Sequence, residues 1–452
     1  MRGVNMTKGN ILRQLVVFAW PILLGMVFQQ LYVTIDAIIV GNYVSRQALA
    51  AVGGSAGSLI NMIISFAVGL FAGANVLISR FFGAGDAKGV HDAVHTELTL
   101  AVVLGLALSV VGVLFTPHML RMIGAPDEIM PDATEYLRIY MTGLPILMVY
   151  NAGASIITAM GDSGRPLIFL IVASILHVIL ALLFIIVLGW GVAGVAWSTV
   201  LSMSVSVVLV IIALCRTDGS HRLHIKHLRI HFNLLGKIMA IGLPGGLQGT
   251  IVSFSNVVVQ AYINGLGAIV IAGYSSSTRI DAFSQMPMLA MAAAIATFVG
   301  QNLGAGQVTR ARKGVRYSMI ISIAVTVVLS ALTLTFSRTL LGLFTSDMEV
   351  IAAGRRFMST LAPTYFILTG AQVLPGALRG AGDVRFTSIT SVVCFVFIRQ
   401  LYLYIISNTY YSINTVALCY PITWSIAFVA LAIYYLRSDW SGFENKTEGE
   451  LT

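Results

Sequence analysis

Twelve stretches of this chain stay apolar for about the length needed to cross a bilayer, and that restricts its fold more than any single motif. They run over 15–40, 56–79, 94–115, 133–157, 167–188 and 192–214, and again over 238–263, 277–299, 317–336, 357–378, 386–406 and 415–436. A hydrocarbon layer about 30 Å thick takes about 20 helical residues. A backbone in lipid must satisfy its own hydrogen bonds, which leaves helices or closed barrels. No run alternates with period two, so a barrel does not fit. Charged residues make up 10% of the 452, less than half the roughly 25% of a soluble domain. The expected fold is an all-α integral membrane protein with about 12 transmembrane helices.

The chain is also one half written twice. Gly83-Ala84-Gly85 returns as Gly304-Ala305-Gly306 and Gly161-Asp162 as Gly382-Asp383, each 221 positions on (304 − 83 and 382 − 161). Six helices per copy, an even number, set both copies the same way up. Two six-helix lobes related by a pseudo-two-fold axis along the membrane normal are therefore expected, with substrate between them. The predicted division is an N-terminal lobe at 1–215, a basic linker at 216–237, a C-terminal lobe at 238–438 and a polar tail at 439–452. With the N-terminus inside, 19 of the 27 Lys and Arg fall on cytoplasmic segments, as positively charged loops require. Both termini are thus expected in the cytosol of a multi-pass protein of the inner (cytoplasmic) membrane. The net charge of +9 reads as a topology signal and a fit to lipid headgroups, not as a nucleic-acid footprint. The first apolar run is too long for a signal-peptide core, and three cysteines imply no disulfide framework.

Charged side chains inside spans are costly and tend to face a bundle interior or a wet cavity. Asp36, Arg279, Asp281 and Arg399 are the cases singled out. Asp36 shares a helical face with Gly25, Gln29 and Tyr32, a polar stripe on an apolar helix. A shift of 224 lays Ser253, Asn256 and Gln260 over Gln29, Tyr32 and Asp36, so only the first copy keeps an acid. An isolated carboxylate there can be neutralised by a proton or by a cationic substrate, and so can exchange one for the other; bracing between helices is the structural alternative. Asp281 shares a face with Ser277, Thr278, Ser284 and Gln285, while Arg279, two residues away, does not face it. Arg399 is expected to anchor against carbonyls or Asp281, with substrate contact the minor reading. His177 is either an interhelical hydrogen bonder or a relay member. Met286, Met288 and Met291 read as packing. Pro21, Pro145, Pro244, Pro287 and Pro363 read as kinks within spans.

His221, His224, His227 and His231 would share one face if the linker were helical. A metal or pH sensor is one reading. With no Cys or acidic ligand beside them, a linker lying against headgroups is the expected one. No HExxH, GxSxG or GxxxxGK[ST] occurs, so the chain is expected to be neither an enzyme nor a self-contained ATP-driven pump.

Several motifs together resemble the multidrug and toxic compound extrusion (MATE) family of secondary transporters. They are Pro21 ahead of Gln29-Gln30 and Asp36, Gly83-Ala84-Gly85, Gly189 to Gly194, Gly242-Leu243-Pro244, Arg279-Ile280-Asp281 leading to Phe298 through Gly306, Gly380 to Asp383, and Arg399. The resemblance spans the whole chain. It implies a secondary active multidrug efflux antiporter, with proton- or sodium-driven export of cationic amphiphilic compounds by alternating access, and Asp36 matching the first-helix coupling carboxylate. In helix five, where many members carry Asn, three residues and Asp-Pro, this chain has His177, Ala181 and Leu182. Losing that second carboxylate weakens a sodium site, since a hard cation wants several oxygens.

The ion-coupling candidates are therefore Asp36, His177 and Asp281. The substrate-binding candidates are Gln29, Tyr32, Asp36, Ser253, Asn256, Gln260, Arg279 and Arg399. No catalytic or metal residues and no cofactor are expected beyond a proton gradient, with sodium as the alternative driver. The expected partners are small cationic or amphiphilic compounds and membrane lipids, with no nucleic acid and a monomeric chain. The alternatives are a sodium-coupled exporter, a lipid-linked precursor flippase, or a membrane enzyme or scaffold without transport. A flippase would need surplus cations for pyrophosphate, whereas Arg279 and Arg399 balance Asp36 and Asp281.

Overall fold

In a computed structural model residues 5–440 are described, and they form helices joined by short turns. In chain order these are α1 (Ile11–Tyr43), α2 (Gln47–Ala84), α3 (Ala87–Met122), α4 (Asp127–Thr142), α5 (Leu144–Ala159), α6 (Gly164–Val187) and α7 (Gly191–Cys215). Then come α8 (Phe232–Asn264), α9 (Ala268–Gly304), α10 (Val308–Thr335), α11 (Met348–Gly380), α12 (Arg385–Ser407) and α13 (Ile413–Arg437). Eleven of these are long and apolar enough to cross a membrane, and α4 with α5, bent by 50° at their junction, makes a twelfth span. The twelve expected spans are all present.

The prolines sort differently from the expectation. Pro21, Pro244 and Pro287 lie inside helices, as do Pro117 and Pro375. Pro145 and Pro363 instead start new segments, because the first turn of a helix has no N–H to lose. They break the fourth and tenth spans at corresponding places.

By contacts the chain falls into two compact units, the first built from Leu24–Gly246 and the second from Met6–Leu23 with Leu247 onward. This is not the chain-order division at 215 and 238: the first turns of α1 group with the second unit, and those of α8 with the first. The tail lies mostly beyond Trp440, outside the described residues.

Within each unit, close packing rests on small residues, since lipid supplies no hydrophobic drive between helices. A Cβ on Gly69 or Gly73 of α2 would stand 2.5 and 2.4 Å from the α8 backbone at Gly245 and Gly242. In the second unit a Cβ on Gly376 or Gly380 of α11 would stand 2.4 Å from the carbonyls of Ala292 and Ala296 in α9.

The repeated motifs are structural. Gly85 and Gly306 take φ of 74° and 68°, Gly161 and Gly382 take 86° and 77°, left-handed values that glycine adopts without a Cβ penalty. Asp162 then accepts from the Gly164 and Arg165 amides, and its other oxygen meets Arg165 Nε at 2.6 Å. Asp383 accepts from the Tyr434 hydroxyl. Gln301 and Asn302, in the most specific of the motifs, hold the chain ahead of α1. The Met6 amide donates to Gln301 Oε1 at 3.1 Å, and Asn302 Nδ2 donates to the Met6 carbonyl at 3.2 Å. Arg310 adds bonds to the Met6 and Gly9 carbonyls and to Gln14.

The linker histidines do not form one helical face. Only a short turn at Ile225–His227 is helical before α8 begins at Phe232. The segment packs onto the first turns of α3: the His224 amide donates to His95 Nε2 at 3.1 Å, the His231 amide donates to Thr96 Oγ1 at 3.2 Å, and His231 Nε2 lies 3.5 Å from Asp92. An acidic neighbour is thus present, supplied by another element. His221 is buried, and burial, with Arg165 adding to it, pushes its pKa down to about 4. Among the described residues no group of three or more His, Cys, Asp or Glu is placed to hold a metal ion, and Cys215, Cys394 and Cys419 are free.

Candidate functional site

In the first unit, α1, α6 and α7 bring four side chains together. Asp36 is 8% exposed and His177 fully buried, with His177 Nε2 2.5 Å from Asp36 Oδ1. The Tyr32 hydroxyl, one turn before Asp36, donates to Thr199 Oγ1 at 2.9 Å, and its ring lies 4.1 Å from the His177 imidazole. Thr199 passes its own hydrogen to the Val195 carbonyl at 3.0 Å. Asp36 is therefore not the isolated acid the sequence suggests.

The partner changes the chemistry without cancelling the charge. With Nε2–H donated to the carboxylate, the pair carries one negative charge. His177 Nδ1 is buried and without a hydrogen-bond partner, so it keeps a free lone pair. A second proton on Nδ1 makes an imidazolium against a carboxylate, and the pair becomes neutral. Gln29 of the predicted stripe is exposed instead. Gly25 gives room to Leu170 and Leu167 of α6.

In the second unit the candidates divide between two groups. Asp281 of α9 accepts from Gln285 Nε2 at 2.6 Å and from the Tyr365 hydroxyl. Arg399 is 3% exposed and begins the helical turns that follow a widened stretch at Val393–Ile398. It does not pair with Asp281. Its Nη1 donates to Asn256 Oδ1 at 3.0 Å, and its guanidinium carbon lies 4.7 Å from the Tyr420 ring centroid and 5.4 Å from that of Phe395. Rings replace the carboxylate because their faces attract a cation that is weakly hydrated. Tyr420, Trp424 and Tyr365 run as an aromatic wall from one group to the other, with centroids 5.7 and 6.1 Å apart.

The remaining candidates are less engaged. Ser253 donates to the Gly249 carbonyl and Gln260 to Asn264. Asn256 of that helical row meets a charged residue, Arg399. Arg279 is exposed. Glu97 of α3, absent from the sequence candidates, is fully buried. Its signal was available, an acid inside the apolar run 94–115.

Twelve spans in two units, each with buried charged groups at mid-helix, define a multi-pass membrane transporter. A sequence profile of the family described as MatE matches residues 21–183 and 244–405, and the chain belongs to that family. It is similar to YpnP of Bacillus subtilis, named a probable multidrug resistance protein, at 27% identity over 456 residues, covering 99% of this chain and all of the relative. It is also similar to an FAD transporter of Shewanella oneidensis, at 24% over 382 residues and 83% of each chain. A solved multidrug resistance MATE family transporter in an outward-facing conformation superposes with a TM-score of 0.90 at 24% identity, covering 98% and 99% of the two chains. At that identity the likeness speaks for the fold. The relatives are transporters, and the chain is not an enzyme.

Proposed function

We propose that this chain is a secondary active multidrug exporter of the cytoplasmic membrane, which moves cationic amphiphilic compounds outward in exchange for protons by alternating access. Both termini lie in the cytosol, the working form is a monomer, and the membrane gradient is the only energy source. The relative named for multidrug resistance, matched end to end, supports the drug class.

The buried Asp36–His177 contact carries the coupling. The pair alternates between one negative charge and none by taking one proton. In the charged state it attracts a cation; in the neutral state it releases it. An imidazole nitrogen beside the carboxylate favours a proton over sodium, which prefers a shell of oxygens. Arg399 is held by Asn256 and two rings, and one guanidinium so committed is a poor match for a pyrophosphate, which weighs against a flippase.

Everted vesicles energised by respiration, assayed with and without sodium for extrusion of an ethidium-like cation, test this. Proton-driven extrusion that Asp36→Asn removes is the expected result. Wild-type rates in that variant, or dependence on sodium, overturn the coupling scheme. Export of a dinucleotide instead of the dye overturns the cargo.

A further inference from the structure

Glu97 is the buried acid that the coupling scheme leaves unused. It sits ten residues into α3, about 15 Å along the helix at 1.5 Å per residue. The side chain is fully buried, and neither carboxyl oxygen has a partner at hydrogen-bonding geometry. Among the described residues no ion pair reaches it. An ionised carboxylate so placed is among the costliest groups a protein can bury.

The surroundings say which form fits. The side chain that Glu97 meets is Ser155 of α5. The Ser155 hydroxyl gives its one hydrogen to the Phe71 carbonyl at 2.8 Å, so toward Glu97 it offers lone pairs alone. A carboxylate would face an acceptor. A carboxylic acid can donate, extending a chain from Glu97 through Ser155 to Phe71. Around this chain, Asn75 Nδ2 donates to the Ser155 carbonyl at 3.0 Å, and Ser79 Oγ stands 3.5 Å from Asn75 Oδ1 and from the Ala159 carbonyl. Of the elements packed against α3, α2 brings Asn75, Ser79 and Arg80, and α5 brings Ser155. α4 meets α3 at its far end, through Met141 against Gly112. The linker brings His224 against His95, a residue whose Nδ1 is committed to the His91 carbonyl and whose Nε2 accepts from the His224 amide.

We infer that Glu97 is a second proton-binding site of the first unit, separate from the Asp36–His177 pair. It is a carboxylic acid while α2, α3 and α5 are packed around it. It gives its proton to water, leaving a carboxylate and a hydronium ion, only when that packing parts. That the proton serves export rests on the exchange reading above; that the site binds a proton does not.

The test is infrared difference spectroscopy of the full chain in lipid nanodiscs at neutral pH. A carbonyl stretch from a protonated carboxylic acid is expected in the wild type and in Asp36→Asn, and is lost in Glu97→Gln. It should weaken when an ethidium-like cation is added to the wild type. Glu97→Gln should melt with the wild type, because a neutral amide fills the same buried space without adding a charge. Should it fail to fold, Ser155→Ala serves instead and should shift the band by removing its acceptor. No band lost in Glu97→Gln, or no shift in Ser155→Ala, overturns the inference; a Glu97 band unmoved by a dye that the chain extrudes overturns its part in export. Failure of the exchange reading appears separately, as transport by Asp36→Asn.

Discussion

The two units each carry an acid within a span, yet they satisfy it by different means. Asp36 meets an imidazole, and Asp281 meets a phenol and an amide. An imidazole has a second nitrogen that can accept a proton, and a phenol and an amide have none. The first unit therefore sets a basic nitrogen beside its acid, whereas the second surrounds its acid with neutral donors and fastens Arg399 by rings. A duplicated scaffold need not duplicate its chemistry.

The strongest way to break this contrast is to neutralise both acids. Asp36→Asn is expected to lower proton-driven dye extrusion at least about tenfold, a change of about 1.4 kcal/mol in the limiting barrier. Asp281→Asn should cost a smaller factor and keep the proton dependence, read by the pH profile of extrusion. Equal losses with equal pH profiles would erase the distinction.

A second experiment sharpens what the units share. Gly73→Val and Gly376→Val each drive a side chain into backbone, and both are expected to destabilise by about 3 kcal/mol, seen as a lowered melting temperature of the detergent-solubilised chain. A large effect in one unit alone would show that the two crossings do not matter equally.

Arg399→Lys should lose the planar stacking and part of the bond to Asn256, about 1–2 kcal/mol, while leaving the pH profile of extrusion where it was. A displaced profile would place the second unit in the proton cycle.

The smallest expected effect concerns the linker. His221 titrates near 4 when docked and about 6.5 when free. Between those values the undocked segment binds more protons, so docking is at full strength above pH 6.5 and weakens as pH falls toward 4. Protection factors against hydrogen exchange at the amides of Arg222 and Leu223, taken relative to the intrinsic rate at each pH, should fall over that window, and His221→Gln should flatten the response.

The spans were legible because hydrophobic length is a local property, and the repeat was legible because glycines with left-handed φ leave identical residues behind. Partners across helices were not. His177 lies 141 positions from Asp36, and a lone imidazole on an apolar helix gives no sign of what it will meet. Arg399 was assigned carbonyls or Asp281 because charge suggests charge, while the rings of Phe395 and Tyr420 looked like ordinary packing. The contact grouping of α1 and α8 was not legible for a similar reason: both read as uninterrupted helices, and nothing within a helix announces that its first turns pack with other neighbours than its last.

The glycine crossings have a mechanical meaning. Where α2 meets α8 through Gly69, Gly73, Gly242 and Gly245, main chain meets main chain, and the side chains of Phe66, Leu77 and Ile238 pack only to either side. Interlocked side chains must change rotamer before one helix can turn on another; smooth cylinders need not. Such a joint behaves as a plain bearing, stiff to compression and lenient to twist, so the residues that permit closest approach are also those that let the helices swivel.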